Sequence, residues 1–396
     1  MKLKMNLTKE YGIVLEGGGA KGGYQIGAWK ALREAGIRIK GISGVSVGAL
    51  NGAMMCMDDI EGASKLWENI SYSQIMDVDD KNMEGLITGN LKIIPNIGQI
   101  IKDSIKIIAD GGVDITPLRT LIKETISEER IRQSPIDLYI TTYSVTEHKL
   151  LDVDVKETPE GLIGDMLLAS AYFLAFKNEK LHGKKYMDGG GWNNIPLDSL
   201  LNRNYEDIIV IRIYGLGQEK KVEIPEGAMI YTIAPRRPLV KILEFDSKKI
   251  KKNMNMGYYD AQRILYGLEG KWYYLDMPAE ESYYFHKMID LVRKMIDRLG
   301  EDVVMDEKQK LTGYRAAMEI GMPKLVKALG VKPDGGYKEI YLTMLENAAK
   351  SLRINPFHIY TETELIGLIK KKLSQSKKNQ DELPIFLDNL DSLFSL

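Results

Sequence analysis

A single cysteine, Cys56, in 396 residues leaves no partner for an intramolecular disulfide. No Cys/His pair has zinc-ligand spacing either, so no metal site is expected. This cysteine usage fits a reducing compartment, and a cytoplasmic location is expected. Charge of either sign is not in excess: 54 Lys+Arg against 55 Asp+Glu give a formal net charge of −1. That excludes the broad basic field a nucleic-acid partner would need. Long apolar runs are missing too. No stretch approaches the roughly 18 apolar residues of a membrane-crossing helix, and the apolar run before Glu16 is too short for the core of a Sec signal. Any contact with a membrane is therefore expected to be peripheral. No internal repeat or low-complexity segment is present, and the charge run at 370–378 reads as solvated surface.

What the chain does have is a strand, loop and helix rhythm. Residues 11–15 read as a strand, 17–23 as a glycine loop and 24–35 as a helix. A second apolar approach at 39–42 leads through a turn into another helix starting at Val47. A helix over 62–70 and strands over 138–143 and 208–214 extend the pattern. The predicted fold is α/β, a mostly parallel central sheet flanked by helices. The expected organisation is a catalytic domain at 1–235, a connecting segment at 236–277 and an all-α C-terminal region at 278–396. In that last region Thr361 and Glu364 have capping-box spacing. Residues 91–109 carry Ile97, Ile101, Ile105 and Ile108 at helical spacing, read first as a helix packed on the core and second as a lid.

The loop Gly17-Gly18-Gly19-Ala20-Lys21-Gly22 satisfies G-x-G-x-x-G after a strand and before a helix. A dinucleotide reading needs an acidic residue about twenty positions on for the ribose, and Arg38-Ile39-Lys40-Gly41-Ile42 supplies none. A Walker A reading needs Gly-Lys-Ser/Thr, whereas Lys21 is followed by Gly22 and Gly23. A third reading turns the same exposed N–H groups toward an oxyanion forming beside a nearby nucleophile. No cofactor is then required.

Gly44-Val45-Ser46-Val47-Gly48 supplies that nucleophile as a G-x-S-x-G elbow, in which small neighbours let a sharp strand-to-helix turn project the serine hydroxyl. Alone the motif is a modest signal. A short helix link between Gly19 and Ser46 makes the two turns neighbours at one edge of the sheet, so each explains the other.

The base is less obvious. His148 and His182 lie in polar turns, and His286 and His358 lie in the helical region, none in a catalytic setting. Asp188, followed by Gly189 and Gly190, is the better candidate, because a carboxylate held against a hydroxyl accepts its proton directly. Taken alone, Asp-Gly is also an ordinary turn.

With these three motifs in this order, the first 235 or so residues resemble the patatin-like phospholipase family. Further similarities are Ile26-Gly27 through Leu32, residues 114–118, and Asn194-Ile195-Pro196-Leu197. The resemblance implies a serine–aspartate dyad without histidine. Ser46 matches the nucleophile, Asp188 the general base, and Gly18 and Gly19 the oxyanion-hole glycines, with the Val47 N–H a further donor. Lys21 falls where the family carries Lys or Arg. Glu16 stands where such sequences often have Asp or Ser, and 169–174 lacks a proline before the aspartate strand. The expected activity is hydrolysis of lipid acyl esters with a lipid ester as partner. A soluble-ester hydrolase or thioesterase, or a non-catalytic lipid- or nucleotide-binding protein, are the alternatives.

Overall fold

The computed structural model describes residues 1–83, 112–172, 176, 179–299, 315, 317–332 and 334–376. The segment at 91–109, read above as a core helix or a lid, lies outside them. The chain divides into two units, Lys2–Tyr266 and Gly267–Leu396 with Met1.

The first unit runs β1 (Glu10–Leu15), α1 (Gly23–Glu34), β2 (Arg38–Val45), α2 (Val47–Cys56) and α3 (Ile60–Asn69). After the undescribed stretch come α4 (Thr116–Thr125), α5 (Glu128–Gln133), β3 (Asp137–Ser144), β4 (Lys149–Asp154) and α6 (Ile163–Ser170). It closes with β5 (Tyr186–Asp188), α7 (Leu197–Leu201), β6 (Asp207–Ile211), β7 (Met229–Ile233) and α8 (Ser247–Tyr266).

The strands form one sheet in the order β4-β3-β2-β1-β6-β7. The pairs β3–β2, β2–β1, β1–β6 and β6–β7 are parallel, and β4 closes the β3 edge antiparallel. This is the mostly parallel, helix-flanked α/β architecture that the alternation of strands and helices predicted. Ile13, Val14 and Leu15 are fully buried, as expected of a central parallel strand covered on both faces.

One irregularity of the sheet positions the site. β2 pairs with β3 only as far as Val45 opposite Thr141. The next residue of β3, Thr142, pairs instead with Asp188 of β5, which runs antiparallel. β5 therefore takes over the edge of β3 at the point where β2 leaves it, and Asp188 comes to lie beside Ser46, the residue following Val45.

Helix α8 closes the first unit against α1. A Cβ at Gly27 would lie 1.8 Å from the Met254 carbonyl oxygen, and one at Gly257 would lie 1.9 Å from that of Tyr24. The two helix backbones are thus in direct contact, and both positions require glycine. Of the stretch expected as a connecting segment, 247–266 is this helix, packed on the α/β unit.

The second unit contains β8 (Tyr274–Asp276), α9 (Glu281–Leu299), α10 (Met322–Leu329), α11 (Tyr337–Ser351), β9 (Ile359–Thr361) and α12 (Glu362–Ser376). It is helical except for one parallel pair, β8 with β9, which the helical patterning of the sequence did not indicate. Its core gathers Tyr284, Leu345, Ala348, Ala349, Leu365 and Ile369. The expected capping box starts α12: Glu364 N–H donates to Thr361 Oγ1 (3.3 Å), and Thr361 N–H donates to the Glu364 carboxylate (2.8 Å). No described helix is long and apolar enough to cross a membrane.

Candidate active site

Ser46 sits between β2 and α2 with φ +56°, a left-handed conformation that is costly for a residue with a side chain. The neighbouring glycines make the turn sterically feasible. A Cβ at Gly48 would lie 2.3 Å from the Leu15 carbonyl oxygen, and one at Gly44 would lie 2.6 Å from the Gly48 backbone. The strained turn is held from outside as well. Ser46 N–H donates to Ser170 Oγ (2.8 Å), and the Ser170 hydroxyl donates to the Thr141 carbonyl (2.7 Å).

The Ser46 side chain lies next to the Asp188 carboxylate, which accepts from Gly190 N–H at 2.8 Å. Burial disfavours the charged carboxylate and pushes Asp188 up to about 6, against the opposing pull of the nearby Ser46 hydroxyl and of the Gly190 N–H. Gly189 lets this strand end approach β3, since a Cβ there would lie 2.8 Å from the Thr141 carbonyl oxygen.

The glycine loop completes the site. Gly19 has φ +55°, and a Cβ on it would meet the Ile242 carbonyl at 2.4 Å. Gly17 N–H is bound by the Asn194 carbonyl (3.3 Å) and Ala20 N–H by the Ile242 carbonyl (2.7 Å). Between them, the Gly18 and Gly19 N–H groups have no acceptor among the described residues. Val47 opens α2, where a helix leaves its first N–H groups without intrahelical partners. Gly22 ties the two turns together, because a Cβ on it would lie 2.5 Å from the Val47 side chain. The loop continues as a tight turn, Gly19–Gly22, before α1 begins. Lys21 donates to the Tyr214 carbonyl and is not among the described lining of the cavity.

These residues open into a cavity of about 630 Å³ whose wall includes Gly17, Gly18, Gly19, Ser46, Val47 and Asp188. The rest is largely apolar, with Leu50, Met54, Leu66, Ile70, Met76, Leu118, Leu121 and Phe176 among the lining residues. Asp188 is the only charged residue among the described lining, and no Lys or Arg contributes. In the wall, Asn51 has its polar atoms engaged: its amide donates to the Gly22 carbonyl (3.0 Å) and to Gln25 (2.8 Å), and its oxygen accepts from Trp67 Nε1 (2.9 Å). Among the described residues no group of three or more His, Cys, Asp or Glu could hold a metal ion. His148 occupies the β3–β4 turn and His182 pairs with Asp165 at 2.5 Å; neither lines the cavity.

Two supports of the site were not legible in the sequence: Ser170, a helix-end serine among 169–174, and the 213–218 segment that packs on the glycine loop. Neither sits in a motif. Ser170→Ala is expected to lower kcat roughly tenfold, the equivalent of about 1.4 kcal/mol, because the strained Ser46 turn loses the hydroxyl that accepts its N–H. KM should change little, and steady-state kinetics on the folded variant would check the split.

Fold and site together define an α/β unit in which a serine on a sharp strand-to-helix turn and a buried carboxylate line an apolar cavity. Residues 13–201 match the family model for patatin-like phospholipases, and this stretch is a patatin-like phospholipase domain. Sequence relatives include the neuropathy target esterase sws of Drosophila sechellia and that of Drosophila persimilis, each 55% identical over 47 residues. The matched stretch is 12% of this chain and 3% of each of those proteins. Among solved structures, VipD from Legionella pneumophila aligns at 16% identity with TM-score 0.42, covering 97% of this chain and 90% of that one. Full-length ExoU in its complex with SpcU from Pseudomonas aeruginosa aligns at 12% identity with TM-score 0.31, covering 97% and 84%.

Proposed function

We propose that the chain is a lipid acyl hydrolase in which Ser46 and Asp188 act as a catalytic dyad. The observation that carries this reading is the placement of Ser46 and the buried Asp188 carboxylate together in the wall of an apolar cavity whose described lining has no other charge. An acyl chain gains by leaving water for such a wall, at about 25 cal/mol per Å² buried. A nucleotide phosphate would find no cation among the described lining.

Chemically, Asp188 takes the Ser46 proton as Oγ attacks the ester carbonyl carbon. The carbonyl oxygen becomes an oxyanion facing the N–H groups of Gly18, Gly19 and Val47. The C–O bond to the alcohol breaks, the alcohol leaves with the proton, and an acyl–serine remains. Water gives a proton to Asp188 as its oxygen attacks the acyl carbon, the bond from that carbon to Ser46 Oγ breaks, Asp188 returns the proton to Oγ, and the carboxylic acid leaves.

Labelling the intact protein with a fluorophosphonate and mapping the adduct by mass spectrometry tests the reading. A single adduct on Ser46 is expected, with turnover of ester lipids in vesicles. Failure of folded protein to form the adduct would sink the serine-hydrolase reading. Turnover confined to short-chain soluble esters would reassign the substrate and leave the chemistry in place.

A further inference from the structure

Glu16 takes no part in the chemistry above, yet it is 1% exposed and lies directly before the glycine loop. Burying a carboxylate is costly unless its oxygens are satisfied, and here they are satisfied in an unusual way. One oxygen accepts from Ile213 N–H (2.7 Å) and Tyr214 N–H (3.0 Å), and the other accepts from Gly215 N–H (3.0 Å). Arg212 Nε and the Asn194 amide each approach to 3.4 Å. Three successive backbone N–H groups curled around one anion form a nest, and the anion belongs to the protein itself.

The nest holds a strained segment. Tyr214 has φ +49°, unfavourable for an aromatic residue, and its carbonyl accepts from Lys21. That segment is the surface on which the glycine loop rests. A Cβ at Gly215 would lie 1.8 Å from the Gly17 carbonyl oxygen, and one at Gly18 would lie 2.7 Å from the Ile213 side chain. The same segment braces the far side of the site, where Gln218 N–H donates to the Gly190 carbonyl (3.0 Å), two residues after Asp188.

We propose that Glu16 is a positioning residue for ester hydrolysis: its carboxylate fixes the 213–218 segment, and through it sets the Gly18 and Gly19 N–H donors relative to Ser46. The inference rests on the proposed function. Its physical basis is that oxyanion donors act only when they are preorganised, and losing one costs about 10²–10³-fold in kcat. Glutamine in place of Glu16 keeps the volume but turns one acceptor into an NH2 donor that faces an N–H of the nest. The nest should then relax without a cavity being opened.

The experiment compares the full-length wild type with Glu16→Gln, well below the melting temperature of each. The readouts are kcat, KM, and inhibition by two ligands: a trifluoromethyl ketone, which forms an oxyanion on Ser46, and a non-hydrolysable ether analogue of the substrate. For Glu16→Gln, kcat is expected to fall about 10–100-fold, with KM within about threefold. Affinity for the ketone should fall by the same factor as kcat/KM, with affinity for the ether analogue retained. A lower melting temperature with kcat and ketone affinity unchanged would overturn the proposal and leave Glu16 a purely structural group. Should Glu16→Gln fail to fold, Lys21→Met removes the other tie on Tyr214 and keeps the carboxylate. It should give the same parallel loss of kcat and ketone affinity on a smaller scale, and a variant without that parallel loss would equally overturn the proposal. A wild type that neither labels nor turns over would defeat the proposed function itself, an outcome distinct from either variant result.

Discussion

Asp188→Asn is expected to cut ester turnover by up to about 10⁴-fold and, at pH 8, to raise the melting temperature of the protein. The two effects have one origin. Burial pushes the Asp188 carboxyl from its ordinary 3.8 to about 6, so the folded chain holds this proton more tightly than the unfolded chain does. By linkage, the contribution of this group to stability is greatest below about pH 4, declines as pH rises through 6, and stays at its lower level above that. The amide has no charge to desolvate and avoids the decline, while its oxygen can still accept from Gly190 N–H. The variant's advantage in thermal melts should therefore open between about pH 4 and 6 and vanish at the acid end. Wild-type kcat/KM on an uncharged ester should show the matching profile, rising with pH through about 6 as the base loses its proton. A variant that kept a tenth or more of wild-type turnover would place the base elsewhere, with a histidine the next group to test.

Much of this site was legible in the sequence because its parts are local. A strand, a glycine loop, a helix and an elbow follow one another within residues 11–56, and β1 and β2 are neighbours in the sheet. The glycines that flank Ser46 can be read directly, since only glycine fits where an added Cβ would lie within 3 Å of neighbouring backbone. Asp188 was harder, as a three-residue strand carries almost no periodic signal and its position beside Ser46 depends on β3 exchanging one partner for another at Thr141 and Thr142. Glu16 was visible only as a difference from related sequences. Its partners are backbone N–H groups almost 200 residues away, and backbone groups leave no trace in side-chain patterns.

Helix α8 was missed for a different reason. Its buried face carries Asn253, Asp260, Gln262 and Arg263, whereas pattern reading takes polar residues as exposed. Inside the fold these charges satisfy one another: Asp260 accepts from the Tyr24 hydroxyl (2.9 Å) and from Arg263 (2.5 Å).

That same helix carries the largest expected effect on stability. Gly27→Ala should lower the unfolding free energy by about 3 kcal/mol, although alanine is intrinsically the better helix former by about 1 kcal/mol. The reason is the 1.8 Å that would separate the new methyl from the Met254 carbonyl oxygen. The obstacle is backbone in the middle of a 20-residue helix, so no side-chain rotation relieves it and the two helices must move apart. Separation loosens the burial of Tyr24 and of Ile250, both fully buried, and stretches the Tyr24–Asp260 hydrogen bond. Urea melts of Gly27→Ala beside Lys30→Ala, an exposed position on the same helix expected to stay within about 0.5 kcal/mol, would measure the contact. Equal stability of the two variants would mean that α1 and α8 do not meet at Gly27. If the loss is seen, the catalytic unit continues past residue 235 to Tyr266, because α1, which begins directly after the glycine loop, depends on α8 for one of its faces.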